Sequence, residues 1–163
     1  MRKVAGLLVC LLAASAGEAA QQPHVYSTRD VLEFDACASA WLIKRFVDPQ
    51  ARFTFHPSGA LITDGIPFNT PEAAWRTTQT MTTYELILRD AHLRDAALIR
   101  LGEMVHEIEL TYSRSFNTEA SALNERILAL TKQEPDPAKA LEQSFIVLDG
   151  VYRALQQRPQ GSS

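Results

Sequence analysis

Three successive stripes of apolar residues limit the fold of this chain more than any other feature of its sequence. Apolar side chains that recur at intervals of three and four lie on one face of an α-helix, and that face has to be buried against other elements. Candidate N-caps precede the stripes: Asp95 the first, Asn117 or Thr118 the second, and Asp136, followed by Pro137, the third. The stripes consist of Leu98, Leu101, Val105, Ile108 and Tyr112; of Ala122, Leu123, Ile127 and Leu130; and of Leu141, Phe145, Leu148, Tyr152 and Leu155. The C-terminal half is therefore predicted to be three packed helices.

The part of the chain before Asp95 is predicted to contribute two shorter helices and the strands. One helix runs from Asp35, its expected N-cap, to Phe46 and ends because Asp48-Pro49 cannot continue it. The second follows Thr82, whose spacing to Glu85 fits a capping box, and ends near Asp90. The strand candidates are Val25 to Thr28, Ala51 to His56 and a segment near Ile66-Pro67-Phe68. We expect a mainly α fold with a small β component (α+β). It should form a single compact domain of about five helices and two or three short strands over residues 24–157, followed by a disordered tail at 158–163.

The first residues are typical of a cleavable signal peptide. Arg2 and Lys3 form a positive n-region, and an uncharged apolar run follows from Val4 to Ala16. This run is shorter than the about 20 apolar residues that a spanning helix needs, so a membrane anchor is the weaker interpretation. Small residues at Gly17 and Ala19 favour cleavage after Ala19, with Ala20 as the second choice. We expect residues 1–19 to be removed and the protein to be periplasmic or secreted.

Charge and cysteine content narrow the function further. Loss of Arg2, Lys3 and Glu18 with the signal peptide changes the net charge of −3 by only one unit, so the mature chain is mildly acidic. This balance does not favour nucleic acid as a partner. Once Cys10 is removed, Cys37 has no second cysteine with which to form an intramolecular disulfide. We expect Cys37 to be a buried free thiol, with a reactive thiol or pairing to another chain as alternatives.

The sequence resembles one known family along nearly its whole mature length. CxxC, HExxH, GxSxG and Gly-rich phosphate-loop motifs are all missing from the sequence, so general motifs assign no chemistry. The matching residues are Thr28, the run Asp35-Ala-Cys-Ala-Ser-Ala-Trp-Leu-Ile-Lys-Arg-Phe-Val-Asp-Pro49, Ala51-Arg52-Phe53, Ile66-Pro67-Phe68 and Val105-His-Glu-Ile-Glu109. In this order, from about Tyr26 to Leu155, they resemble the chromate resistance protein family, the ChrB-type C-terminal domain and its exported relatives. The resemblance implies a role in chromate or metal-oxyanion stress.

The chain departs from the family pattern at two positions. Where the family carries a histidine and a cysteine, this sequence has Thr77 and Thr82. If the family residues bind a metal, two ligands are replaced by hydroxyls, and a tight zinc site needs about four N, S or carboxylate ligands. The matched residues that retain chemistry are Asp35, Cys37, Glu85, His106 and Glu109.

His106 is the strongest of the weak metal candidates. Glu109 lies three residues later on the same helix face, so the two could share a cation, or the carboxylate could orient the imidazole. Glu85 would complete the set. A plain surface pair of His106 and Glu109, with Glu85 serving only in its capping box, explains the same residues.

An anion site would use basic side chains, because charge-assisted hydrogen bonds hold oxyanions. The basic residues near the matching block are Arg29, Lys44, Arg45 and Arg52. The candidate ligand-binding set that matches the family is Asp35, Trp41, Arg45 and Arg52. Their alternatives are an N-cap for Asp35, a core position for Trp41 and a solvated helix face for the basic residues.

Three functions remain open from the sequence. The first is a non-enzymatic, exported accessory protein of chromate or metal-oxyanion resistance that binds a small anion or a metal ion. The second is a metal-dependent enzyme built on His106, Glu109 and Glu85, with Asp35. The third is a structural or partner-binding domain. We favour the first, and we do not carry over the DNA-binding regulation attributed to cytoplasmic relatives, because the sequence has no basic recognition helix and its signal peptide predicts export. Oligomeric state is left open.

Overall fold

A computed structural model describes residues 24–111 and 118–158, which form five α-helices and a small sheet. The strands are β1 (Val25–Arg29), β2 (Arg52–His56) and β3 (Ile66–Pro67), and the helices are α1 (Phe34–Leu42), α2 (Thr83–Asp90), α3 (Ala96–Leu110), α4 (Thr118–Gln133) and α5 (Pro137–Gln156). The predicted fold class, a single mainly α domain with a small β component, is confirmed. The predicted signal peptide, Tyr112, Asn117 and residues 159–163 lie outside the described residues.

The sheet is parallel throughout and has the order β2-β1-β3. Val25 pairs with Arg52 at one end of the β1–β2 ladder and Arg29 pairs with His56 at the other. β2 therefore forms one edge of the sheet, and its partly buried rings at Phe53 and Phe55 pack against the helical core.

α1 is the central element of the core. All nine of its residues are buried, and it contacts α2, α3, α4 and α5. Small residues occupy this helix from Ala36 to Ala40, before Trp41 and Leu42, so neighbouring helices approach its backbone from several sides. In the described part of the chain, none of the helices has the length and apolar character needed to cross a membrane.

Local signals placed most helix starts correctly. The Thr82–Glu85 capping box is present, and Asp95 and Asp136 cap α3 and α5 with their side chains. The N-cap prediction for Asp35 is wrong: Glu33 is the N-cap of α1, without a side-chain cap bond, and Asp35 lies in the first turn. Its carboxylate instead binds the start of a different helix, described below.

The predicted helix to Phe46 changes character before it ends. After Leu42 the chain continues as a π-helical turn, Ile43–Val47, which closes with a bond of 2.8 Å from the Asp48 N–H to the Ile43 carbonyl. The wider turn places Phe46 against Trp41 and Tyr152, at ring distances of 5.3 and 5.2 Å. Such turns occur often at functional sites, and this one carries Lys44 and Arg45.

Candidate functional site

A polar cluster surrounds the N-terminus of α2, and the Asp35 carboxylate lies at its centre. Oδ2 accepts hydrogen bonds from the Thr83 N–H at 2.9 Å and the Thr77 hydroxyl at 2.6 Å. Oδ1 accepts from the Tyr84 N–H and the Ser39 hydroxyl, both at 3.0 Å. Asp35 is only 2% exposed, so α1 supplies a buried anion that satisfies the unpaired amides of α2. This is a structural role that joins two helices.

The capping box of α2 is extended by His106. Glu85 accepts from the Thr82 N–H at 2.8 Å, and Thr82 in turn accepts from the Glu85 N–H at 3.2 Å. The Nδ1 atom of His106 lies 3.0 Å from both oxygens of the same Glu85 carboxylate. A carboxylate accepts, so Nδ1 carries the hydrogen in this bond. His106 is thus oriented by Glu85, from another helix, rather than by Glu109.

Glu109 faces the start of α1 instead. Burial, with smaller contributions from the nearby charges of Asp35 and Glu33, raises the pKa of Glu109 to about 7, against the opposing effect of a hydrogen bond with the Asp35 backbone. Three carboxylates from α1, its N-cap and α3 are therefore close enough to interact electrostatically.

The cluster contains the two positions where the resemblance expects a histidine and a cysteine. Thr77 bonds to Asp35, and Thr82 bonds to Glu85. Within residues 24–111 and 118–158, His, Cys, Asp and Glu side chains form no group of three or more that is arranged to hold a metal ion. The hydroxyls therefore complete a hydrogen-bond network between helices, and the weak metal candidates Glu85, His106 and Glu109 are divided between two separate contacts.

Three of the basic candidates lie together at a second location. Lys44 and Arg45 on the π-helical turn and Arg52 at the start of β2 line one cleft against α5, with a volume of about 550 Å³. The other residues that line it are Ala51, Phe53, Phe55, Ala138, Leu141, Glu142, Phe145 and Ile146. The tight turn after Asp48, closed by a 2.9 Å bond from the Ala51 N–H to the Asp48 carbonyl, brings β2 back beside the π-helical turn.

Arg45 is fixed in this cleft by a carboxylate of α5. Its Nε lies 3.0 Å from Asp149 Oδ1 and its Nη2 lies 2.9 Å from Oδ2, a bidentate pair. The buried Trp41 indole donates to Oδ1 as well, at 2.8 Å. Burial by itself raises the pKa of Asp149, but the bonds from Arg45 and Trp41 outweigh it and hold the pKa below its usual value. Arg45 also lies over the Phe145 ring, 5.6 Å from its centroid.

The other two cations are less constrained. Lys44 Nζ donates to the Ala51 carbonyl at 2.9 Å, which leaves two of its three hydrogens for a ligand. In the described part of the chain the exposed Arg52 guanidinium has no hydrogen-bond or ion-pair partner. The cleft therefore presents two cations that are able to bind an anion, beside a third that is already paired.

The remaining sequence candidates lie elsewhere. Trp41 is fully buried and supports Arg45 through Asp149 instead of contacting the cleft. Arg29 is held by Glu72 at 2.8 Å, on a different part of the surface. Cys37 is a buried free thiol whose pKa burial raises to about 12, so its thiolate is not available near neutral pH.

Sequence reasoning missed the α5 side of the cleft. Asp149 follows Leu148 of the apolar stripe, and Glu142 follows Leu141, so both read as ordinary polar positions at the border of a helix face. Both residues are ninety or more positions along the chain from the basic residues of the cleft, so no local sequence signal indicates that they meet.

Comparisons with known proteins identify the family of the chain. The family model described as ChrB, C-terminal domain, matches residues 26–155. Protein ChrB of Cupriavidus metallidurans is 29% identical over 133 residues, which cover 80% of this chain and 40% of that protein. The chain thus spans less than half of the relative's length. No solved structure matches the chain.

Proposed function

The chain belongs to the family of ChrB C-terminal domains, a family of chromate resistance proteins. From this premise we propose that it is an exported, non-enzymatic accessory protein of chromate resistance that binds an anion. The anion site is the cleft lined by Lys44, Arg45 and Arg52. Residues 1–19 direct export and are removed.

The observation that carries the proposal is the convergence of these basic side chains. Two come from the family-matching block and the third from the strand that follows it, and all three line one concave surface. An anion in the cleft accepts charge-assisted hydrogen bonds from Arg52 and Lys44, which are the stronger class of hydrogen bond. Arg45 adds positive potential, although Asp149 neutralises much of it.

The local charge contrasts with that of the whole protein. The full chain has a net charge of −3, whereas the cleft has Lys44, Arg45 and Arg52 against Glu142 and the Asp149 that pairs with Arg45, which leaves one net positive charge. This arrangement concentrates anions at one place on an otherwise acidic molecule.

A metal-dependent enzyme built on Glu85, His106 and Glu109 has less support. Glu85 and His106 satisfy one another at 3.0 Å, whereas Glu109 faces Asp35 and Glu33. Asp35 itself makes four hydrogen bonds within the protein and has little capacity left for a ligand.

The proposal is tested with protein purified from the periplasm. Mass spectrometry first reads its N-terminus, which we expect at Ala20 or Gln21. Chromate binding is then measured by equilibrium dialysis, with sulfate and zinc as competitors and Cys37→Ser to remove any reaction of the thiol with chromate, an oxidant. We expect saturable chromate binding that persists in Cys37→Ser.

Arg52→Gln is the informative variant, because Arg52 is exposed and contributes no described side-chain contact to the fold. We expect its affinity for chromate to fall by about tenfold, because the variant loses the binding free energy of one charge-assisted hydrogen bond. Arg126→Gln, an exposed position on α4 outside the cleft, is the matched control and should bind as the unsubstituted protein does. Equal loss in both variants, or no saturable binding of chromate at all, contradicts the proposed site.

A further inference from the structure

The cleft has an apolar wall that an inorganic anion leaves uncovered. Phe53 and Phe145 meet there with their ring centroids 6.1 Å apart, and Phe55 and Leu141 continue the surface. Ile146 extends it at the rim and is 71% exposed, which makes it one of the most exposed large apolar side chains of the described residues. Chromate and sulfate consist of oxygens around one central atom and gain nothing from covering such a wall.

We propose that the cleft takes a small organic anion, a carboxylate or sulfonate that carries an aromatic or short aliphatic body. The inference rests on the proposed function only in that the cleft binds anions. The acid group lies on Arg52 and Lys44, and the body lies against Phe53, Phe145 and Ile146.

The arrangement of charges sets this orientation. Arg45 is held by both oxygens of Asp149 and lies flat over the Phe145 ring, so it forms part of the wall. Arg52 and Lys44 keep donors for the acid group and come from β2 and the π-helical turn, whereas Phe145 and Ile146 come from α5. A ligand with one charged end and one apolar end matches both kinds of lining at once.

The size of the cleft agrees with a ligand of this class. Sites for small organic molecules have volumes of about 300 to 1,000 Å³, with mostly apolar walls and a few polar groups that orient the ligand. The cleft has a volume of about 550 Å³, seven apolar lining residues counting alanine, and four charged ones. The Glu142 carboxylate, also in the lining, opposes anions and thereby limits how tightly any of them binds.

The test compares 4-phenylbutyrate with two partial ligands, acetate and 4-phenylbutanol, by isothermal titration calorimetry on the mature protein. We expect 4-phenylbutyrate to bind at least about tenfold more tightly than either, because each buried methylene adds about fourfold and the acid group adds its hydrogen bonds. If acetate binds as tightly as 4-phenylbutyrate, the apolar wall contributes nothing and the inference is wrong.

Two exposed isoleucines provide a matched pair of variants. Ile146→Ser should weaken 4-phenylbutyrate several-fold and leave acetate and chromate unchanged, whereas Ile99→Ser, on α3 outside the cleft, should change none of them. Arg52→Gln should weaken 4-phenylbutyrate and chromate alike. Equal effects of the two isoleucine variants would overturn the inference.

The outcomes for the two ligands are separable. Binding of 4-phenylbutyrate without binding of chromate supports the organic ligand class and contradicts the chromate site. Binding of chromate with no gain for 4-phenylbutyrate over acetate supports the proposed function and contradicts this inference.

Discussion

Asp35 joins two helices through a single carboxylate. Its oxygens accept the Thr83 and Tyr84 amides of α2, while the Ser39 hydroxyl fixes the same group from one turn further along α1. A buried carboxylate is tolerated here because it accepts four hydrogen bonds within the protein, two of them from amides at the N-terminus of α2. The residue that reads as an ordinary N-cap in the sequence thus holds α2 against α1.

Asp35→Asn tests this role with almost no change in shape. The amide keeps one acceptor but turns an N–H₂ group toward donors, so we expect the free energy of unfolding to fall by about 3 kcal/mol. Urea denaturation followed by circular dichroism measures it. Thr77→Val, which removes one of the four donors, should cost about 1 kcal/mol. A stability of Asp35→Asn equal to that of the unsubstituted protein would show that the carboxylate is not needed for the junction.

At the scale of elements, Gly102 allows α2 and α3 to pack closely. A Cβ at this position would lie 3.2 Å from Tyr84 Cε1 and 3.3 Å from Leu88 Cδ1. Tyr84 cannot easily give way, because it is fully buried and its hydroxyl donates to the Leu98 carbonyl at 3.2 Å. The helical backbone at Gly102 is ordinary, so the glycine is needed for space and not for conformation.

Gly102→Ala and Gly150→Ala form a matched pair. Alanine improves helix propensity by up to about 1 kcal/mol at each site. At Gly150 nothing lies within 4 Å of the new Cβ, so we expect stabilisation by about 0.5 to 1 kcal/mol. At Gly102 we expect net destabilisation by about 1 kcal/mol, because overpacking typically costs more than the gain in propensity. Thermal unfolding of both variants measures the difference, and stabilisation of Gly102→Ala would contradict the close contact.

Element boundaries differ in how far the sequence predicts them. α5 begins at Pro137 as expected, because a capping aspartate followed by proline is a complete local signal. The π-helical turn after Leu42 was not predicted, since no local preference distinguishes it from α-helix in this run. Its geometry depends on how Phe46 packs against Trp41 of α1 and against Tyr152 of α5, which is distant in the sequence.

At the scale of the whole molecule, helix packing brings carboxylates of two elements together. Glu109 ends up near Asp35 and Glu33 because α3 packs against α1. Its folded-state pKa of about 7 lies above its usual value of 4.5. The folded protein therefore binds a proton there more tightly than the unfolded chain does, and the resulting stability is complete below about pH 4.5 and is lost as the pH rises through about 7.

Glu109→Gln tests this coupling, because glutamine resembles the protonated acid at every pH. We expect the variant and the unsubstituted protein to have similar melting temperatures at pH 4.5, and the variant to melt higher at pH 8. Differential scanning calorimetry at both values measures the effect. Glu125→Gln, exposed on α4, should leave the pH dependence as it is, and a pH dependence of Glu109→Gln identical to that of the unsubstituted protein would exclude the coupling.

The sequence by itself determined the fold class, the helix count and most helix starts, because periodic burial and capping act over three to five residues and are written locally. The sequence also showed the family resemblance and indicated the basic residues Lys44, Arg45 and Arg52 as site candidates. The tertiary structure alone decided which charges meet: Arg45 with Asp149, His106 with Glu85, and Asp35 with the amides of α2. These pairs join residues between 21 and 104 positions apart, and electrostatic contact depends on distance in space, which only the packing of the helices sets.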